Sequence, residues 1–218
     1  MGYKTVHETA ESEFMEKKST FIGACKRVFC EEEAKAFIGE IKEKYKDARH
    51  HVYAYTVGED GLLQRYSDDG EPQGTGGIPM LEVIKKNQLK NTCVVVTRYF
   101  GGILLGAGGL TRAYVKGASL AIEASGIVER VEGYTLTLHA PYDLAGKIEH
   151  LLKEKELFIQ NIAYTEEVQL IVPVLAEQKE LFTKEIINLT ANRVKFDVSE
   201  LKLFYKLQKE LVEEFEDG

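Results

Sequence analysis

The segment TCVVVTRYFGGILLGAGGLTR, residues 92–112, decides the fold of the first half of the chain. It opens with a continuous apolar, β-branched run at 92–97, which predicts a central strand buried on both faces. The glycine-rich connection that follows leads into a predicted helix over 110–125. Gly126 occupies the position just past the helix end where a C-cap glycine belongs. A buried strand, a glycine loop and a helix therefore follow one another directly.

The sequence around this segment alternates between strand and helix patterns. Alternating or apolar runs predict strands, and apolar residues at a spacing of three to four predict helices. The predicted strands cover 20–28, 52–57 and 62–66, and the predicted helices cover 31–48 and 80–88. A linker is predicted near Val128–Gly133.

The second half of the chain predicts the order β-α-β-β-α-β, which is the ferredoxin-like arrangement. The predicted strands are 134–139, 158–164, 168–174 and 194–198, with further alternation at 201–205; one predicted helix begins at Pro141 and the other covers 176–190. Because each helix has a single apolar stripe, we expect a four-stranded antiparallel sheet with both helices on one face. The fold class is α+β, with domains at 1–130 and 131–218.

Composition and charge restrict the functional class. The 218 residues are 44% hydrophobic and 29% charged, which excludes disordered and collagen-like chains. No run approaches the ~18 apolar residues of a membrane span, and the N-terminus has no apolar core of a signal peptide. The three cysteines fit neither a disulfide framework nor zinc knuckles, so a cytoplasmic protein with reduced thiols is expected.

The charge is distributed unevenly along the chain. Residues 1–130 carry 18 basic and 18 acidic side chains, whereas residues 131–218 carry 10 and 17. The net charge of −7 therefore comes from the second half. A polyanionic partner would have to bind a local basic patch on the first half.

Three segments, 49–51, 67–79 and 98–112, are unusually rich in glycine, arginine, histidine and acidic residues. Glycines let backbone N–H groups approach a ligand and converge on an anion. The glycines at 106–109 lead into a helix N-terminus, which favours negative charge. The predicted anion- or RNA-binding residues are Lys18, Arg49, His51, Glu71, Arg98, Tyr99, Gly101, Gly102, Gly106, Gly108, Gly109 and Arg112.

Known catalytic and cofactor motifs are absent from the sequence. It has no P-loop, no dinucleotide fingerprint and no G-x-S-x-G elbow. Neighbouring strand residues face opposite sides, so His50 and His51 cannot easily share a metal. Asp68, Asp69 and Glu71 could hold Mg²⁺, although acidic turn residues are usually solvated. We expect no catalytic residues, no metal and no cofactor.

Four blocks of sequence together resemble the signature of the IMPACT family in its bacterial YigZ-type form. They are Lys18–Phe21, Arg49–His51, Asp69–Gly77 and Arg98–Tyr114, and the resemblance extends over nearly the whole chain. It implies that residues 1–130 have the fold of the second domain of ribosomal protein S five and that residues 135–190 are ferredoxin-like. The fourth and fifth domains of elongation factor G have the same pair of folds. In eukaryotic relatives the domain belongs to a regulator of translation under stress, which acts through a partner protein.

Two functions are compatible with these residues. The first is a non-catalytic, translation-associated protein that binds RNA, the ribosome or a translation-regulating protein through an anion-binding cleft. The second is an enzyme acting on a phosphorylated small molecule or nucleotide, with Glu71 and His51 as acid and base. In the first case, changing Arg98 and Arg112 together to alanine should weaken RNA binding more than folding. Thermal unfolding should change only slightly, because removing exposed arginines costs little stability. The sequence does not determine the oligomeric state.

Overall fold

A computed structural model describes residues 2–207 and 210–213. The described chain divides into two compact units. The N-terminal unit comprises residues 3–128, and the C-terminal unit comprises Gly2 and the described residues from 129 onward. No helix in the described part is long and apolar enough to cross a membrane.

The elements of the N-terminal unit are β1 (Tyr3–Val6), β2 (Ala10–Glu16), β3 (Ser19–Arg27), α1 (Glu31–Lys44), β4 (His50–Val57), β5 (Leu63–Ser67), α2 (Gly77–Lys86), β6 (Thr92–Tyr99) and α3 (Ala107–Ser125). Five of these strands form an antiparallel sheet in the order β2-β3-β6-β4-β5.

Helices cover both faces of this sheet, and β6 lies at its centre. Val94 and Val96 pack in the cluster beneath α2 and α3, whereas Cys93 and Val95 pack in the cluster beneath α1. The prediction of a central strand buried on both faces is therefore confirmed. Small residues let α3 approach the sheet closely: a Cβ on Gly23 would lie 2.5 Å from the Gly117 carbonyl oxygen.

The first two strands, β1 and β2, are not among the elements predicted from the sequence. β2 is an edge strand whose alternation consists largely of charged residues, AESEFME, with half-buried and exposed positions in turn. Such a strand has little apolar pattern to predict it from the sequence. Its charged side chains prevent the exposed edge of the sheet from pairing with other chains. Its pairing with β3 through the tight turn at Lys17 and Lys18 defines it as a strand.

The elements of the C-terminal unit are β7 (Ile127–Ala140), α4 (Tyr142–Glu154), β8 (Asn161–Tyr164), β9 (Val168–Leu175), α5 (Lys179–Leu189), β10 (Lys195–Val198), β11 (Lys202–Leu207) and β12 (Glu210–Val212). Four strands have the order β10-β7-β9-β8, all antiparallel, which is the ferredoxin-like topology. This prediction is confirmed, as is the α+β class. A further strand, β11, pairs with the first part of β7, and β12 pairs with β11.

Both helices of the C-terminal unit lie on the same face of its sheet. Alternate residues of β7 and β9 form one buried cluster with the apolar stripes of α4 and α5, as predicted. The cluster includes the strand residues Leu136, Leu138, Leu170 and Val172 and the helix residues Ile148, Leu152, Phe182 and Ile186.

The boundary between the two units falls after Val128, within the predicted linker, but the chain there is a strand. Residues 128–133 lie within β7, and residues 129–133 pair with β11. Val128 and Val131 lie three positions apart, so they point to opposite faces of the strand, and charged residues lie between them. This part of β7 therefore has no period-two apolar alternation that would predict a strand.

His139 provides a pH-dependent contribution to the stability of the C-terminal unit. Its Nδ1 lies 2.7 Å from Glu167 Oε1 and its Nε2 lies 2.8 Å from Asp197 Oδ2. The hydrogen bond to Asp197, opposed by burial and reinforced by Glu167, raises the pKa of His139. The stabilisation is therefore complete below the unfolded-state pKa of about 6.5 and is lost as the pH rises through the higher folded-state pKa.

We expect His139→Gln to lower the free energy of unfolding by up to about 1 kcal/mol at acidic pH, the range of exposed ion pairs. The difference from the unchanged protein should shrink as the pH rises through the raised pKa. Urea denaturation followed by circular dichroism across that range measures it. A difference that grows with pH would contradict the assignment.

Candidate functional site

The sheet register brings the three special segments together at one end of the N-terminal unit. β4 and β6 are neighbours, and His50 pairs directly with Arg98. The segment after β5 folds back beside them, since Asp69 bonds to both histidines. A cavity of about 400 Å³, here called the glycine-loop cleft, opens at this end. Its lining residues are Arg49, His50, Glu71, Pro72, Arg98, Phe100, Leu104, Leu105, Gly106, Ala107 and Leu110.

Arg98 and Glu71 form a buried ion pair in the wall of this cleft. Arg98 Nη1 donates to Glu71 Oε1 at 2.7 Å, and both side chains are more than nine-tenths buried. The hydroxyl of Tyr114 donates to the same carboxylate oxygen at 2.8 Å. Burial and the Glu71 carboxylate raise the pKa of Tyr114 well above its ordinary value, so the hydroxyl remains a donor.

The expectation that Arg98 can be removed at little cost to folding is wrong. Its guanidinium lies between the rings of Phe21 and Phe100, at 5.5 and 5.4 Å from the ring centroids. Arg98 is 5% exposed and its charge is balanced by Glu71. A buried arginine paired in this way supports the fold, because its removal leaves the carboxylate buried without a countercharge.

The Asp68 carboxylate is the anion that the backbone N–H groups of the glycine-rich segment before α2 bind. One carboxylate oxygen accepts the N–H groups of Gly76 and Gly77 at 3.0 and 2.8 Å, and the other accepts that of Gly74 at 2.8 Å. The amides of this segment therefore converge on a side chain of the same loop. The Mg²⁺ alternative loses support, because this carboxylate is committed to three donors.

We expect Asp68→Ala to lower the free energy of unfolding by about 1–3 kcal/mol, the usual cost of leaving buried donors unsatisfied. Asp68→Asn keeps one acceptor oxygen and should have a smaller effect. Asp60→Ala is the matched control, since Asp60 Oδ1 accepts the N–H of Leu62 in an exposed turn. Urea denaturation compares the three variants, and equal destabilisation by Asp68→Ala and Asp60→Ala would contradict this role.

The structure brings His50 to the cleft and leaves His51 outside its lining. His50 Nδ1 lies 2.8 Å from the Asp69 carbonyl oxygen, which can only accept, so Nδ1 carries the proton. His51 is buried, with Nε2 at 3.1 Å from the Tyr45 carbonyl oxygen. Only the pairing register reveals which histidine shares a sheet face with Arg98, so the sequence could not choose between them.

Asp69 ties these loops to α1. Its carboxylate accepts the His51 N–H at 2.7 Å and the Lys42 ammonium at 3.0 Å. Burial pushes the pKa of Asp69 upward, but these two donors outweigh burial and hold the pKa below its ordinary value. Asp69 has a left-handed backbone conformation, with φ at 45°, which is unfavourable for a residue other than glycine. The hydrogen bonds of its carboxylate hold the turn in this conformation.

The loop before α3 is tightly packed at Gly101, whereas Gly102 and Gly106 have open space around them. The Gly101 N–H donates to Ser19 Oγ at 3.2 Å, and a Cβ on Gly101 would lie 1.8 Å from the Lys18 carbonyl oxygen. Gly102 and Gly106 have positive φ angles of 82° and 71°, which other residues rarely adopt. Ser19 and Gly101 thus place the β2–β3 turn against the glycine loop.

The first turn of α3 has no side-chain cap and no acidic residue. Gly106 is the N-cap residue, and Ala107, Gly108 and Gly109 follow it. Their N–H groups have no partner within the helix, and the helix dipole places positive charge at this end. Because Gly106 and Ala107 line the cleft, this helix end faces it.

The remaining predicted cations are exposed. Arg49 lines the cleft. The Lys18 backbone adjoins Gly101, and Arg112 Nη1 lies 3.7 Å from the position of a Cβ on Gly108. Tyr99 is half-buried beside exposed Phe100. The structure thus places Arg49 and the buried Arg98–Glu71 pair in the cleft wall, the Lys18 backbone beside Gly101, and the Arg112 guanidinium beside Gly108.

Comparison with known proteins gives matches along most of the chain. The Impact N-terminal domain matches residues 17–122, and a domain of unknown function, DUF1949, matches residues 138–193. The chain is 44% identical to IMPACT family member YvyE of Bacillus subtilis, with 94% of this chain and 93% of the relative covered. It is 36% identical to IMPACT family member YigZ of Escherichia coli, with 78% and 84% covered.

Two further similarities concern a eukaryotic protein and a solved structure. Protein IMPACT of Mus musculus is 35% identical, with 42% of this chain and 30% of the mouse protein covered. The crystal structure of a hypothetical protein matches with a TM-score of 0.58 and 31% identity, with 89% of this chain and 96% of that chain covered.

Proposed function

Because the chain belongs to the IMPACT family, we propose that it is a non-catalytic, cytoplasmic protein of translation that binds RNA through the glycine-loop cleft. The resemblance to this family, which extends to eukaryotic regulators of translation, supports a role in translation. The observation that carries the binding proposal is the uncapped first turn of α3, which faces the cleft beside the exposed Arg49. Both features favour a phosphate group.

The charges around the cleft support an anionic ligand. Glu71 is the acidic residue among the lining residues, and Arg98 neutralises it. Arg49 then carries the remaining charge of the lining, and the exposed Arg112 adjoins the glycine loop. The lining, with Arg49, Arg98 and Glu71, therefore has a positive net charge although the whole chain carries a net charge of −7.

The positions of Glu71 and His51 favour binding over catalysis. An enzyme acting on a phosphorylated small molecule would need them as acid and base near the substrate. One Glu71 oxygen already accepts from Arg98 and Tyr114, and His51 is buried against the Tyr45 carbonyl. Both side chains hold the fold together, which leaves the cleft with cations and backbone donors.

Fluorescence anisotropy with labelled RNA at several salt concentrations tests the proposal. We expect the double variant Arg49→Ala and Arg112→Ala to bind more weakly. The slope of log affinity against log salt should flatten by about 0.7 for each phosphate of single-stranded RNA that the variant no longer neutralises. Both side chains are exposed, so thermal unfolding should change little.

Arg65→Ala is the matched control, because Arg65 is an exposed arginine of the same unit that lies near Glu31 on α1. It should bind RNA like the unchanged protein. Absence of RNA binding at physiological salt would overturn the proposal. Binding of a translation-regulating protein or turnover of a phosphorylated metabolite in its place would assign the cleft to that other function.

A further inference from the structure

The walls of the glycine-loop cleft are more apolar than phosphate binding requires. Leu104 is 83% exposed and Phe100 is 45% exposed, although both are large apolar side chains. They line the cleft with Pro72, Leu105 and Leu110. Exposed apolar residues grouped around a cavity mark a binding surface, whereas isolated ones need no explanation. A volume of about 400 Å³ lies within the range of small-ligand sites.

The polar end of the same cleft has two independent features that point to a ligand. The first is the uncapped turn of α3 at Gly106 and Ala107. The second is Arg98 Nε, which is buried and has no hydrogen-bond acceptor among the described residues, although Arg98 lines the cleft. A buried donor without an acceptor is costly unless a ligand or water satisfies it.

We propose that the glycine-loop cleft binds one unpaired nucleotide of single-stranded RNA. The base lies against Phe100 and Leu104, and the phosphate lies at the first turn of α3 within reach of Arg49. This inference rests on the proposed function and specifies its ligand. It accounts for the apolar wall and the cationic, donor-rich end together, because a nucleotide is a flat apolar ring joined to an anion.

A base-paired nucleotide does not fit this arrangement. In a duplex the base faces are stacked on their neighbours, and extruding one nucleotide costs a few kcal/mol in unstacking and unpairing. A single strand presents its base faces freely, and aromatic side chains stack on them with little sequence preference. We therefore expect the cleft to distinguish single strands from duplexes more strongly than it distinguishes sequences.

Anisotropy with a labelled ten-nucleotide RNA, free or annealed to its complement, tests this inference in the full-length protein. The unchanged protein should bind the single strand about tenfold or more tightly than the duplex. Phe100→Leu keeps an apolar side chain but removes the aromatic face. It should weaken single-strand binding about fivefold or more, the lower end of the effect of removing one stacking side chain. Leu104→Ser should weaken single-strand binding as well.

Leu62→Ser is the matched control, because Leu62 is 80% exposed in the turn between β4 and β5, away from the cleft. It should bind like the unchanged protein. Equal affinity for single strand and duplex, with no effect of Phe100→Leu or Leu104→Ser, would overturn the nucleotide pocket and leave RNA binding itself intact. Failure to bind either RNA would overturn both the pocket and the proposed function.

Discussion

Replacing Arg98 by alanine is expected to lower the free energy of unfolding of the N-terminal unit by about 3–5 kcal/mol, the usual effect of breaking a buried ion pair. The variant leaves the Glu71 carboxylate buried, with the Tyr114 hydroxyl as its remaining side-chain donor among the described residues. It also removes the cation between the rings of Phe21 and Phe100. Urea denaturation followed by circular dichroism measures the destabilisation.

Two further variants separate the ion pair from ordinary arginine removal. Arg65→Ala, at an exposed position, should change the free energy of unfolding by no more than about 0.5 kcal/mol. The double variant Arg98→Met and Glu71→Gln removes both charges and should recover part of the stability, because no uncompensated charge remains. An Arg98→Ala variant as stable as Arg65→Ala would contradict the structure at this site.

Replacing Gly101 by alanine is expected to destabilise the N-terminal unit by about 3 kcal/mol or more, at the upper end of overpacking effects. The added Cβ would lie 1.8 Å from the Lys18 carbonyl oxygen and 2.5 Å from the Ser19 nitrogen. These are backbone atoms of the β2–β3 turn, so no side-chain rotation relieves the overlap. The loop or the turn must move, and RNA binding should weaken with stability.

Gly108→Ala tests whether the effect belongs to Gly101 or to any glycine of the loop. Gly108 is in the first turn of α3, and a Cβ there makes only an ordinary contact at 3.7 Å with Arg112 Nη1. Alanine is a better helix former than glycine by about 1 kcal/mol in a helix interior. The variant should therefore be as stable as the unchanged protein or slightly more so. A large destabilisation at Gly108 would refute this assignment of the glycines.

The glycine-arginine segments show how far sequence reasoning reaches. Composition and spacing identified Arg98, Glu71 and the glycines at 101–109 as unusual, and Arg98, Glu71 and Gly106 line one cleft. The role of each of these residues could not be predicted from the sequence. A buried arginine and an exposed one have the same letter in the sequence. Arg98 is buried because it packs against Phe21 and Phe100 and bonds to Glu71, which lies 27 positions away.

Asp68 illustrates the same limit. In the sequence it is one acidic turn residue among several, suited to solvent or to a cation. In the structure it accepts the N–H groups of Gly74, Gly76 and Gly77, the last of which is the first residue of α2. That role requires the loop to fold back so that Gly74, Gly76 and Gly77 lie beside Asp68. Side-chain to backbone bonds of this kind leave no periodic pattern in the sequence.

The sequence by itself determined the α+β class, the ferredoxin-like order of the second half and the buried strand at 92–97, because hydrophobic periodicity and turn residues act over a few neighbouring positions. Only the tertiary structure decided that His50 and not His51 lines the cleft, that Arg98 is neutralised by Glu71, and that residues 128–133 belong to β7. These outcomes depend on strand register and on contacts between residues far apart in the chain, and a shift of one position in a register exchanges the two faces of a strand.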